Sequence, residues 1–379
     1  MISGRAFADS RPATDRAEST RGVSRDGTIL PVALLALLLA FFVVLQTHDV
    51  YSRDRAGGDF VGTILEPAQR VLEGETPYPS PGTDGFVSES VYPPAIFLAA
   101  LPLALVPDGW ATVIWQTILL VVAALTLFVL GVRDWRCYLI WLLSCPVVLA
   151  ILFGNATLLV IGAAAVLWRW RDRKSVAAVA LAVGVALKLF IAPFGLWLAL
   201  TGRFRTCLYS GVIALCLIIA PWVALRFDGL RDYPDRLEAL AAELGGNGIL
   251  VQALVRQLGE STSVATVAGV ASALICFALG TMRRDDDLAS FTWFAFGAIL
   301  LTPIAWIYYP GLLVIPLAVR YPRFGAAWIL FAALWVSWVY TPLGWATAQL
   351  SVAVIALCTL LVLVTSRPAV RHTAAGTSA

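Results

Sequence analysis

Charge is what this chain has least of. Only 13% of its 379 residues are charged, against roughly a quarter in an ordinary soluble domain. With 60% hydrophobic residues and a mean hydropathy of +0.83, that scarcity excludes a conventional water-soluble globule. Histidine is nearly missing: His48 and His372 are the whole supply. A histidine–cysteine metal centre is therefore not expected. Cys137, Cys145, Cys207, Cys216, Cys276 and Cys358 each lie in or beside an apolar run. They read as small packing residues and not as a disulfide framework. There is no long basic segment, and the net charge of +3 points to no nucleic-acid partner. Short alternating strands are wanting too, which argues against a membrane barrel. No internal repeat is visible, which weighs against a transporter built from related halves.

What is present is a series of apolar runs of membrane-crossing character, so the expected fold is an all-α polytopic membrane protein. Residues 1–27 are polar, with interspersed arginines and acids, and read as a disordered cytoplasmic tail. Residues 28–46 form the first span. The arginines before it set the N-terminus inside, so residues 47–92 fall on the outer side. Within them Val61–Glu73 has the spacing of a short surface helix. Arg133 with Arg136, Arg169 to Lys174, Arg203 with Arg205, Arg283 with Arg284, Arg320 with Arg323, and Arg367 with Arg371 then mark inner connections. Each interval must hold an even number of crossings. The apolar segments allow this, for a total of about twelve transmembrane helices. Residues 110–132 count as one crossing and 93–107 as re-entrant or interfacial. Residues 226–262 make a second outer loop with a surface helix near 228–244, where Arg236 and its neighbouring acids read as a solvated face around Leu237, Leu240 and Leu244, and 367–379 a cytoplasmic tail.

Few polar residues stand where chemistry at a membrane face needs them. Asp59 follows Gly57-Gly58 just beyond the first span. It can act as a general base there, or serve merely as a loop charge or helix cap. Asp49 and Asp54 compete with it. Lys188 lies inside the apolar stretch Val183–Phe194. It suits an anionic ligand unless it snorkels to an interface. Arg53, Arg55 and Arg70 are further phosphate partners. Asn155, after Gly154, and Asn247, in Gly245-Gly246-Asn247-Gly248, fit sugar hydroxyls or tight turns. Tyr78, Tyr92, Trp306, Tyr308 and Tyr309 fit a sugar site or an aromatic interface belt.

In order along the chain stand Asp59-Phe60, Gly74, Pro77-Tyr78, Tyr92-Pro93-Pro94, Pro102 to Pro107, Gly154-Asn155, Lys188 to Pro193, Gly246-Asn247 and Thr302-Pro303-Ile304-Ala305-Trp306-Ile307-Tyr308. Over roughly residues 28–325 this series resembles glycosyltransferase family 87, which holds polyprenol-phosphate-mannose-dependent mannosyltransferases. The resemblance implies a GT-C-type membrane domain over 28–366 with residues 47–92 as its catalytic outer loop. It implies inverting transfer of a hexosyl residue, mannose ahead of arabinose, on the extracytoplasmic face of the cell membrane. The donor is a polyprenyl-phosphate-linked sugar and the acceptor a lipid or glycan. Asp59 becomes the general base. Lys188, Arg55 and Tyr308 become donor-phosphate residues, and Tyr78, Tyr92, Asn155, Asn247, Trp306 and Tyr309 sugar or acceptor residues. No cofactor is implied. The chain departs from the family pattern at Tyr308, where a histidine is usual, and in lacking a tyrosine soon after Asp59. A transporter or flippase of lipid-linked sugars is the other reading that the apolar composition leaves open.

Overall fold

Apolar runs in a medium without water must satisfy their own backbone hydrogen bonds, and helices do so locally. The computed structural model describes residues 29–78, 91–244, 248–303, 305–335 and 345–365, and every regular element among them is helical. The expected tails lie outside the described residues. The stretch after α1 (Ile29–Ser52) holds α2 (Gly58–Phe60), a wide π-helical turn (Val61–Leu65) and α3 (Glu66–Leu72). Then come α4 (Pro94–Ala104), α5 (Asp108–Val129), α6 (Trp135–Leu142), α7 (Cys145–Phe153), α8 (Thr157–Arg169), α9 (Lys174–Leu187), α10 (Pro193–Leu200) and α11 (Phe204–Ala224). The stretch after α11 carries α12 (Tyr233–Leu244) and α13 (Val251–Gln257). The chain continues through α14 (Thr262–Met282), α15 (Asp287–Leu301), α16 (Val314–Arg320), α17 (Ala326–Ala333) and α18 (Trp345–Thr365).

Among the described residues, four helices are long and apolar enough to cross a membrane: Val32–Ser52 of α1, then α5, α11 and α14. Helices α6 and α7, bent by 54° at their junction, make a fifth if counted as one span. The long helices sort their side chains by size. On α11, Leu208, Val212, Leu215 and Val223 are exposed while Ser210, Ala214 and Pro221 are buried. On α14, Val267, Leu274 and Ile275 face out while Gly269, Ala273 and Gly280 are buried. Large aliphatic groups meet lipid there, and small ones let helices approach closely. Helix α14 meets α15 in this way. A Cβ on Gly280 would lie 2.8 Å from the Phe294 ring, and one on Gly297 2.5 Å from the Phe277 ring.

Several apolar helices are shorter, among them α4, α8, α9 and α15. The turn between α7 and α8 is enclosed by protein, and Asn155 and Thr157 are buried there. Between the basic connections, Asp287 at the start of α15 pairs with Arg171 (2.9 Å) and Arg203 (2.7 Å), holding three turns together.

Two local expectations change. Val61–Glu73 is helical, but Ile64, Leu65 and Ala68 are buried and the helix packs on α4, so protein and not lipid covers its apolar face. On α12 the leucines are not the anchor: Leu237 is 39% exposed and Arg236 only 3%.

The stretch after α1 is fixed to α7 by two glycines. Helix α7 closes with Gly154 in the left-handed region (φ 76°). The Gly154 N–H donates to the Ile151 carbonyl and the Asn155 N–H to the Ala150 carbonyl at 2.7 Å, a Schellman ending. A Cβ on Gly154 would lie 2.5 Å from the Cβ of Phe60. Phe60 stacks on Trp115 at 4.9 Å, and the Trp115 Nε1–H donates to the Gly154 carbonyl at 2.8 Å. Opposite, the Gly57 N–H donates to the Leu152 carbonyl at 2.7 Å. Gly154→Ala is expected to lower stability by about 2–4 kcal/mol, combining backbone strain with overpacking. Gly74 also has positive φ, but nothing stands within 4 Å of a Cβ there, so Gly74→Ala should cost only about 1–2 kcal/mol. Thermal unfolding of both variants in detergent checks the ordering.

Candidate active site

The glycine junction sets Asp59 against the Gly154-Asn155 turn. Residues Gly58–Phe60 form one helical turn whose first amide donates to the Arg55 carbonyl at 3.0 Å. The π-helical turn follows at once, and the Thr63 hydroxyl donates to the Asp59 backbone carbonyl. Such wide turns recur at functional sites because they re-aim side chains. The Asp59 carboxylate is thereby turned inward. Its Oδ2 accepts from Asn155 Nδ2 at 2.8 Å and, more weakly, from the Tyr308 hydroxyl at 3.4 Å.

Asn155 links this acid to a cation. Its Oδ1 accepts from the Thr157 N–H (3.0 Å), the Thr157 hydroxyl (2.6 Å) and Lys188 Nζ (3.1 Å). Lys188 also donates to Thr157 Oγ1 at 3.0 Å. The amide orientation is fixed by these partners, since every group around Oδ1 is a donor. Lys188 reaches this point because α9 ends there. The residue is extended (φ −154°, ψ 123°) before the 3₁₀ turn Leu189–Ile191 and Pro193 begin the next helix. The rings of Tyr92 and Tyr309 each stand 5.1 Å from Nζ, within range for cation–π attraction. Tyr309 also packs on Phe190 at 4.8 Å.

Asp59, Asn155, Lys188, Tyr92, Tyr308 and Tyr309 thus converge from the stretch between α1 and α4, the α7–α8 turn, the end of α9 and the segment before α16. Thr157 belongs with them and was not anticipated. The only signal was its place two residues after Asn155, where a hydroxyl back-bonds the asparagine carbonyl. The other candidates stand outside this side-chain hydrogen-bond series among the described residues. Arg55 is exposed and contributes backbone to the hairpin before Asp59. Trp306 is half-buried against the core. The Tyr78 ring is enclosed by Trp222, Phe97 and Tyr233. Asn247 lies outside the described residues.

Asp59 sits in the stretch after α1, outside the membrane-length helices. Burial pushes its carboxyl above the usual 3.8, while the Asn155 hydrogen bond, the Lys188 charge and the Tyr308 hydrogen bond pull it part of the way back. A raised folded-state value means that the folded protein holds the proton more tightly than the unfolded chain. The fold is therefore penalised as pH rises through the folded-state value, and the penalty persists at higher pH. Asp59→Asn should raise the melting temperature at neutral pH and leave it unchanged below about pH 3.8. Unfolding scans across pH check this sign.

A family model described as glycosyltransferase family 87 matches residues 91–310. That segment carries Asn155, Thr157, Lys188, Tyr308 and Tyr309, and starts after Asp59. Comparison with curated proteins and with solved structures gives no match. The matched segment covers more than half of the chain, and the chain belongs to glycosyltransferase family 87.

Proposed function

We propose that this membrane glycosyltransferase moves a hexosyl residue, mannose ahead of arabinose, from a polyprenyl-phosphate sugar to a lipid or glycan acceptor. The reaction runs with inversion on the extracytoplasmic side of the cell membrane, in a GT-C-type fold of about twelve crossings. The observation that carries the reading is the Asp59–Asn155–Lys188 series, in which an acid and a cation are held a fixed distance apart by an amide.

Each end has its own task. Both hydrogen bonds given to the Asp59 carboxylate fall on Oδ2, so Oδ1 is the oxygen that takes the acceptor hydroxyl proton as the new glycosidic bond forms. Burial makes Asp59 a stronger base than an exposed carboxylate. The phosphate departs as a stable anion and needs no general acid, unlike the leaving oxygen in glycoside hydrolysis. It needs a cation instead. Lys188 has two of its three donors engaged by Asn155 and Thr157, and the third serves a phosphate oxygen. Tyr92 and Tyr309 flank the ammonium and shield it from water, which strengthens its hold on that charge. Tyr308, aimed at Asp59, orients the base in this account.

The test uses purified protein, polyprenyl-phosphate mannose and a lipid acceptor, with release of polyprenyl phosphate as the readout. Asp59→Asn should lower kcat by about 10²–10⁴-fold, the range for a lost general base. Lys188→Met should raise donor KM and should shift the acid limb of the pH profile to higher pH, because its charge favours ionised Asp59. Wild-type turnover in Asp59→Asn would remove Asp59 from the base role.

A further inference from the structure

The stretch after α11 holds the site without lining it. On α12, the Tyr233 hydroxyl donates to the Val91 carbonyl at 2.6 Å, and Arg236 Nη2 donates to the Tyr78 carbonyl at 2.9 Å. The Tyr78 ring stacks on Trp222 at 5.3 Å and meets Tyr233 edge-on at 5.7 Å. Gly229 closes the cage: a Cβ there would lie 2.7 Å from the ring. The chain reaches Gly229 through Arg226 (φ 54°) and Phe227 (φ 61°), adjacent non-glycine residues in the left-handed region. Such a conformation persists only where its surroundings over-determine it.

Tyr78 passes this anchorage inward. Its hydroxyl donates to the Tyr92 carbonyl at 2.8 Å. Tyr92 then spans the site, its ring against Lys188 Nζ and its hydroxyl hydrogen-bonded to the backbone amide of Ala156. Past α12, the Ile249 N–H donates to the Ala305 carbonyl at 2.6 Å, on the segment that leads into Tyr308.

We infer that Tyr233 and Arg236 are positioning residues for the donor half of the site. They fix Tyr78 and, through its hydroxyl, set Tyr92 against Lys188 and the Asn155-Ala156 turn. The inference rests on the proposed function for what binds at Lys188, but its mechanical part does not need that reading. Arg236 reads in sequence as a charge on a solvated face, and its burial is what reverses the assignment.

Tyr233→Phe removes one hydroxyl and keeps the ring, and Arg236→Gln removes the charge. In the purified full-length protein, hydrogen exchange at the Ala156 amide should speed up about tenfold in each variant, the scale of one ordinary hydrogen bond. KM for polyprenyl-phosphate mannose should rise about tenfold while kcat stays within about twofold, since uniform donor binding is what is lost. In a Tyr92→Leu background, Tyr233→Phe should add nothing further, because the two act on one path. Unchanged exchange in both variants overturns the inference. So does faster exchange with an unchanged KM, or a fall in kcat at constant KM, which marks a merely structural role. If Asp59→Asn retains full turnover the catalytic reading fails, and the exchange measurement still decides whether α12 holds Tyr92.

Discussion

The structure depends on keeping an acid and a cation close without letting them touch. Among the described residues no ion pair joins Asp59 to Lys188; the Asn155 amide stands between them and bonds each. A direct pair in this buried setting would hold both groups to each other and make them costly to separate when substrate arrives. The amide transmits part of the stabilisation and, among the described residues, leaves one oxygen of the acid and one proton of the ammonium uncommitted. Thr157 makes the arrangement rigid, since its hydroxyl both gives to the amide oxygen and receives from the lysine.

That requirement explains much of the backbone around it. The asparagine sits at a helix end because a Schellman turn at Gly154 releases its side chain from helical packing. The lysine sits at a helix end because an extended residue turns it out of the apolar face of α9. The aspartate sits between a left-handed glycine and a π-helical turn. None of these conformations is favoured in the interior of a long membrane helix, so the site is assembled where short helices stop inside protein. The long helices α11 and α14 turn large aliphatic residues outward and bring small ones such as Ala214 and Ala273 inward.

Much of this was legible in the chain. Apolar runs bounded by arginines gave the helices because burial in lipid leaves the backbone little choice, and the order of Asp59, Asn155, Lys188 and Tyr308 pointed to one family. Three features were not legible, each for a physical reason. Thr157 is one of many threonines, and only the fold shows that its hydroxyl faces Lys188. Arg236 belongs to a helix whose leucine spacing suggests another buried face, and its role arises from a carbonyl distant in sequence. Tyr78, read as a sugar-site aromatic, has its ring enclosed by Trp222 of α11 and by Tyr233 and Gly229 beyond it. Periodicity reports which face a helix hides from water, not which polar atom another loop brings to it.

The central claim is that one amide sets a base and a phosphate-binding cation at opposite ends of a single site. The most direct measurement is an electron cryomicroscopy structure of Asp59→Asn with polyprenyl-phosphate mannose bound. The account predicts a phosphate oxygen within hydrogen-bonding distance of Lys188 Nζ, with the anomeric carbon facing residue 59 across a gap for the acceptor hydroxyl. A phosphate seated away from Lys188, or a sugar whose anomeric carbon faces away from residue 59, would contradict it.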